Sequence, residues 1–472
     1  MLEKFPTFRK VTLLAGVLLL TALAVYLALQ TVLAVYPAEF STDVYYQMMP
    51  MNLLLIGLLF GVYGLFSLAR KRFGEIFIGL SLTVFYTLVT MMAANFFFRA
   101  FSYSRSVLLV TAGYELLLLS IWLWFMWRLE RFLMVPREAL VIGSEKACAH
   151  VLLRLSHAPE LGIRVRHIAM DGADSDAWRE TILRVDLVIL CSDVELTRKS
   201  EIVGCCQELQ KDVLLTPSVY ELYCSELTID KIDDIPFFRP QYLNPPLERR
   251  VLKRLFDVFF SLGALLLTAL PMLFIAIAVK LDSRGPIFYQ QVRTGRYEKE
   301  FKVYKFRSMR QDAEKKSGPV MAGENDPRIT RVGRFLRATR LDELPQFINV
   351  LKGEMSVVGP RPERPFFVRQ FKKEMQEYAY RHNVKPGITG LAQVYGKYNT
   401  AAYDKLIYDL MYVQHCDIFT DLVVIIQTVR VLFQKSSTEG VDEAKAAEAL
   451  ADCGRPQDEK TSEETSEETS ES

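Results

Sequence analysis

Two adjacent carboxylates, Asp342 and Glu343, stand in a segment dense in arginine. Arg328, Arg331, Arg334, Arg337 and Arg340 precede them, and Arg361 and Arg364 follow. Neighbouring carboxylates supply oxygen ligands for a hard divalent cation such as Mg2+. Planar guanidinium forks fit phosphate oxygens in bidentate contacts. Carboxylate, metal and arginine together are the equipment of phosphoryl transfer, in which positioning and charge neutralisation carry most of the catalysis. A carboxylate is also an established nucleophile for that chemistry. The same run fits a solvated helix laced with i,i+3 and i,i+4 ion pairs, and the Asp-Glu pair alone does not separate the two.

Several elements must position these groups. Residues 285–295 and 301–309 read as short strands about a turn, with Lys305 and Arg307 alternating with Tyr304 and Phe306. That alternation puts both basic side chains on one side. Residues 312–326 are polar with Gly and Pro, as in a mobile loop. Residues 331–339 read as a helix carrying Arg334 and Arg337 on one face, and residues 341–351 as the next. Arg361 sits between Pro360 and Pro362 in a turn that fixes its backbone. Lys385-Pro-Gly-Ile-Thr-Gly390 is a Gly-rich loop able to approach a ligand closely. Residues 403–411 and 417–433 read as closing amphipathic helices.

The chain has 472 residues and a net charge of +2, so nothing asks for a nucleic-acid partner. That total hides a basic segment from 249 to 397 and an acidic end. Seven cysteines lack metal spacing, which indicates reduced thiols in the cytosol. Apolar runs at 11–36, 50–69, 76–98 and 107–127 are each long enough to cross a membrane as a helix, and the first is too long for a signal peptide. They predict a four-helix transmembrane bundle over residues 1–130. Lys4, Arg9 and Lys10, then Arg70, Lys71 and Arg72, then Arg128 and Arg131 flank one side, which places both bundle termini in the cytoplasm. Glu115 is the ionisable residue within a span, so the bundle reads as an anchor rather than a transport pathway.

Residues 137–230 alternate strand and helix, the pattern of a parallel α/β sheet. A single Gly143 follows the first strand where a dinucleotide site needs G-x-G-x-x-G. A degenerate Rossmann-like, CoA-binding-like domain with a scaffolding role is expected. Pro236, Pro240, Pro245 and Pro246 mark an irregular linker over 231–248. A basic amphipathic stretch, 249–257, then runs into an apolar segment, 255–281, with Pro271 in its middle. Proline kinks a helix, and basic residues flank both ends, so a re-entrant helix with both ends in the cytoplasm is expected. Length and hydropathy alone fit an ordinary fifth crossing.

Within an expected catalytic domain over 249–435, the chain from about 253 to 433 resembles the bacterial sugar transferases, the monotopic polyprenyl-phosphate phosphoglycosyltransferases. The resemblance rests on Lys253-Arg-x-x-Asp257, the Pro-broken helix, Gly285-Pro286, Lys305-Phe-Arg-Ser-Met309, Arg337 with Leu341-Asp-Glu-Leu-Pro-Gln346, Gly359-Pro-Arg-Pro362 and Lys385-Pro-Gly-Ile-Thr-Gly390. With the bundle and the Rossmann-like domain, the whole resembles the long form that starts exopolysaccharide, capsule or O-antigen units. The resemblance implies an α/β catalytic domain with a re-entrant membrane helix, at the inner (plasma) membrane, with its soluble domains cytoplasmic. It implies attack by Asp342 on a UDP-sugar, release of UMP, and passage of the phosphosugar to polyprenyl (undecaprenyl) phosphate. Glu343 with Asp342 would hold Mg2+, and Arg337, Arg361, Lys305 and Arg307 would hold phosphate. Membrane lipids and a second copy, as a homodimer, are the other implied partners.

Residues 436–472 are acidic and poor in apolar groups, as in a disordered tail. Two other functions compete. A membrane-anchored nucleotide-sugar dehydratase or epimerase needs a Tyr-x-x-x-Lys pair, which this sequence lacks. A non-catalytic membrane scaffold of a polysaccharide assembly would bind anionic lipid through its basic segment but has no need of the Asp-Glu pair. Since every phosphate-suited residue lies after Arg249, a fragment from about 247 to 434 is expected to keep activity.

Overall fold

The long apolar runs fold as long helices, the form that satisfies every backbone polar group within one segment. The computed structural model of the protein describes residues 6–35, 43–97, 104–170, 175–225, 227–232, 235–240, 243–309, 328–396 and 400–433. They form two compact units, parted between Pro217 and Ser218.

In the first unit, α1 (Pro6–Val35), α2 (Asp43–Val62), α3 (Phe73–Phe97) and α4 (Arg105–Leu133) pack on one another. Each contains a span long and apolar enough to cross a membrane, and Leu19, Leu54, Phe85, Phe96 and Ile121 face outward. This is a membrane-associated protein. Inside the helices, Glu115 is buried and accepts from Asn52 Nδ2 at 3.0 Å. A second buried carboxylate, Glu130, accepts from the Ala69 amide at 3.0 Å.

The same unit continues through β1 (Arg137–Gly143), α5 (Glu145–Ser156), β2 (Ile163–Met170), α6 (Ser175–Arg184), β3 (Leu187–Leu190), α7 (Leu196–Glu208) and β4 (Asp212–Leu215). The strands are all parallel, in the order β2-β1-β3-β4. Helix α6 has weak sequence signal, because its polar decapeptide hides one apolar pair, Trp178 and Ile182. These are buried at i,i+4 spacing. All six described cysteines are free thiols.

The second unit begins with α8 (Val219–Ser225) and an antiparallel hairpin, β5 (Leu227–Ile232) with β6 (Ile235–Pro240). The sequence reading ends the middle domain at 230 and starts an irregular linker there; the structure instead has strands. Pro236 and Pro240 are tolerated because an isolated two-stranded ribbon has only edge strands. Val219, Leu222 and Leu243 join the core that Val350, Met355, Val358, Leu410, Val413 and Val424 build further along.

Then come α9 (Leu247–Asp282), the antiparallel pair β7 (Phe288–Thr294) and β8 (Glu300–Phe306), and α10 (Arg331–Ala338). A 3-10 turn, Leu341–Glu343, leads to α11 (Gln346–Lys352) and β9 (Ser356–Val358). After α12 (Pro365–Glu374), β10 (Gly387–Thr389) pairs parallel to β9, and α13 (Leu391–Val394), α14 (Ala402–Gln414) and α15 (Ile418–Leu432) close the unit. The expected loop at 312–326 and the acidic segment 436–472 lie outside the described residues.

Helix α9 decides how this unit meets a membrane. Helical structure continues through Pro271. Just before it, Thr268 Oγ1 donates to the Ala264 carbonyl at 2.7 Å, a back-bond of the kind that bends helices. Leu266, Leu267, Leu273 and Phe274 are largely exposed. Both ends of the helix are fastened to the unit. At the start, buried Asp257 accepts from Ser356 Oγ at 2.9 Å and the Val357 amide at 3.0 Å. Buried Lys253 lies 2.5 Å from Asp421 Oδ2, whose other oxygen is 2.7 Å from the Tyr412 hydroxyl. At the far end, Asp282 Oδ2 accepts from the Val332 amide at 3.1 Å. The basic stretch 249–257 is therefore partly an internal fastening.

Candidate active site

Asp342 and Glu343 occupy the 3-10 turn between α10 and α11. The continuous helix read over 341–351 is interrupted there. Arg340, at φ 58° and ψ 15°, is a non-glycine residue in the left-handed region, a conformation that stores strain and recurs at functional sites. Helix α10 is held close to β8: Thr330 Oγ1 caps it by accepting from the Gly333 amide at 3.0 Å. A Cβ on Gly333 would lie 2.0 Å from the Ser308 carbonyl oxygen, so only glycine permits that approach.

Glu343 is enclosed by cations. Lys305 Nζ, near the end of β8, lies 2.7 Å from Glu343 Oε1, and an Arg361 Nη donates to the same oxygen at 2.9 Å. Burial alone would raise the Glu343 pKa, but Arg361 and Lys305 outweigh it and hold the carboxyl well below the usual carboxylate range. Its neighbour behaves oppositely. Asp342 is buried, and among the described residues no group donates a hydrogen bond to it. Its pKa is raised, first by burial and then by the Glu343 charge, against the pull of Lys305, Arg337 and Arg361. The adjacent carboxyls are thus driven apart, Glu343 held as an anion and Asp342 made the more basic of the two.

Arg361 owes its position to partners that the sequence does not advertise. Arg381 donates to the Arg361 carbonyl at 2.9 Å and to Asp409 Oδ2 at 2.6 Å, with both side chains buried. On the next residues, Arg293 donates to the Pro362 carbonyl at 3.0 Å, and the Thr294 amide to the Glu363 carbonyl at 2.9 Å. The glycines of the 385–390 segment are used for backbone packing. A Cβ on Gly387 would fall 2.1 Å from the Gly359 amide nitrogen, so they allow two backbones to meet behind Arg361. Arg381 and Asp409 carry no motif and sit 28 residues apart; only the fold pairs them.

Of the residues singled out in the sequence, Asp342, Glu343, Lys305 and Arg361 come together, with Arg337 close enough to act on Asp342. Arg307 does not join them. It is buried, and its guanidinium donates to the carbonyls of Val279 at 3.1 Å, Ser283 at 2.6 Å and Arg284 at 3.1 Å. It caps the end of α9, where helix carbonyls lack partners. The expectation that Lys305 and Arg307 share a face fails because β8 ends at Phe306.

A family model described as bacterial sugar transferase matches residues 248–435. The chain is 33% identical over 358 residues to a UDP-N-acetylgalactosamine-undecaprenyl-phosphate N-acetylgalactosaminephosphotransferase of Aeromonas hydrophila, covering 73% of this chain and 78% of that protein. The chain belongs to the bacterial sugar transferase family. The transferase is also 43% identical over 316 residues to a UDP-glucose:undecaprenyl-phosphate glucose-1-phosphate transferase of Klebsiella pneumoniae, covering 62% of this chain and 67% of that one. An exopolysaccharide production protein of Rhizobium leguminosarum bv. phaseoli is 47% identical over 188 residues, which span 94% of that protein but 38% of this transferase.

Proposed function

We propose that this transferase moves a phosphosugar from a UDP-sugar to undecaprenyl phosphate, or another polyprenyl phosphate, as the first membrane step of a polysaccharide such as an exopolysaccharide, capsule or O-antigen. The reading rests on one observation: a buried Asp342 that accepts no hydrogen bond from the described residues, beside a Glu343 fixed by Lys305 and Arg361. The names of the relatives support the same donor and acceptor classes.

In the first step an Asp342 oxygen attacks the β-phosphorus of the donor. The bond to the bridging oxygen breaks, UMP leaves, and the phosphosugar stays as a mixed anhydride on Asp342. In the second step a phosphate oxygen of the polyprenyl phosphate attacks that phosphorus, and Asp342 leaves as a carboxylate. Raised basicity makes Asp342 a better nucleophile than Glu343. Arg361, Lys305 and Arg337 supply positive charge for the diphosphate. Among the described residues no cluster of three or more metal-ligating side chains exists. Two carboxylates completed by substrate phosphates still fit Mg2+, which is commonly held in that way. Bound by Asp342 and Glu343, the ion would supply further charge neutralisation at the diphosphate. Helix α9 enters the bilayer re-entrantly from the cytoplasmic side of the inner membrane, bringing the unit to its lipid acceptor.

The test is UMP release by the purified protein from a panel of UDP-sugars with polyprenyl phosphate. The native protein should release UMP with one sugar, and Asp342→Asn should release less than a few per cent of it while staying folded. No UMP from any donor, or near-native turnover by Asp342→Asn, defeats the proposal. The first outcome would favour the scaffold.

A further inference from the structure

Away from the Asp342–Glu343 site, at the start of α9, the second unit gathers more positive charge than it neutralises. Lys253 is matched by Asp421. Arg254 is spent on backbone, donating to the Val350 carbonyl at 2.6 Å and the Leu351 carbonyl at 2.8 Å. Arg296 donates to the Asn383 carbonyl at 3.1 Å and the Tyr297 hydroxyl at 2.8 Å, with no carboxylate. Lys385 is half-buried, and among the described residues its ammonium makes no hydrogen bond or ion pair. Asp257 is the carboxylate that acts most on Lys385, against Arg254, Arg296 and Lys253. Burial and then Arg254 lower the Lys385 pKa, the sign of a cation short of an anion.

The backbone brings two of these cations to one point. Gly353 ends α11 at φ +85°, and a Cβ there would lie 3.6 Å from both Lys385 Nζ and an Arg254 Nη. Lys385 and Arg254 thus converge beside Gly353, each at ordinary contact distance from that point. The Lys385 segment backs onto the Arg361 turn, where the Gly387 amide donates to the Pro360 carbonyl at 3.0 Å, but Glu343 is held by Lys305 and Arg361 and not by Lys385. Arg254 lies one and a half turns before Phe259, which is 72% exposed and begins the apolar length of α9.

We propose that Lys385 and Arg254, across Gly353 and with Arg296 nearby, form a second phosphate site that takes a lipid headgroup phosphate where α9 enters the bilayer. The proposal depends on α9 being membrane-inserted and is independent of the reaction assigned to Asp342. Charge-assisted contacts to phosphate from a partly desolvated ammonium are strong. A site between a helix foot and the protein body sits where headgroups reside.

The test is native mass spectrometry of the full chain in neutral detergent, titrated separately with phosphatidylglycerol, polyprenyl phosphate and inorganic phosphate. The native chain should retain one lipid that Lys385→Gln binds about tenfold more weakly and that Lys385→Arg restores. Displacement by lipid phosphates but not by inorganic phosphate supports the headgroup. Equal displacement by inorganic phosphate would reassign the site to a free phosphate and overturn the lipid assignment. Equal retention by the native chain and Lys385→Gln, or failure of Lys385→Arg to restore binding, overturns the site. Asp342→Asn should bind the lipid as the native chain does, so failure of the catalytic reading leaves this measurement intact.

Discussion

Cutting the chain at residue 247 should destroy the second unit, although every motif of the site lies beyond that point. The cut removes Val219, Leu222 and Leu243, which are 7%, 6% and 6% exposed and belong to the core under α14 and β9. Burial of each is worth about 1.5–3 kcal/mol, or roughly 5–9 kcal/mol together. The cut also strips the Leu222 carbonyl from buried Gln414 Nε2, at 3.0 Å, and the Leu243 carbonyl from Asn383 Nδ2, at 2.5 Å. A buried donor left unsatisfied costs about 1–3 kcal/mol. These losses rival the whole stability of an ordinary domain, about 5–15 kcal/mol. Fragments 218–434 and 247–434, purified in the same detergent, should differ sharply: the longer melts cooperatively and resists protease, and the shorter does neither. UMP release should follow the longer. A shorter fragment melting within a few degrees of the longer one would refute the reasoning, and with it the role of α8 in the core.

Glu343→Gln should lower turnover about a hundredfold or more by leaving Lys305 and Arg361 without their shared anion; steady-state UMP assays showing near-native kcat would contradict that role. Arg307→Met should cost roughly 3 kcal/mol through three lost carbonyl contacts while leaving the KM for donor unchanged. A raised KM at unchanged stability would restore Arg307 to phosphate binding. His382 is buried, and burial, followed by Arg381 and Lys372, lowers its pKa to about 3. The unfolded chain therefore takes up a proton near pH 6.5 that the folded chain refuses, and stability is lost as pH falls from about 6.5 towards 3. In denaturant titrations at pH 7.5 and pH 5, His382→Leu should shrink the difference between the two midpoints; an unchanged difference rejects this account.

The order of elements was largely legible, because apolar length marks α1 to α4 and α9 while strand–helix alternation marks β1 to β4. Asp342, Glu343, Lys305 and Arg361 were legible by type. What escaped was set by tertiary pairing. Arg307 has the same local sequence credentials as Lys305, and only the end of β8 sends one to a carboxylate and the other to helix carbonyls. Nothing near Arg381 points to Asp409. Proline density in 231–248 signals irregularity in a central strand but not in a hairpin with two edges.

The two basic residues at the end of β8 have a joint consequence. Lys305 grips Glu343, while two positions on Arg307 grips the last turn of α9. Glu343, beside Asp342, is therefore tied to α9 through three residues of chain, about 10 Å if extended. With α9 in the bilayer and the proposed chemistry at Asp342, that tie works as a depth gauge, holding the reaction at one level above the lipid surface. A lipid acceptor has to present only its headgroup at that level, and the length of the tail below it is left free.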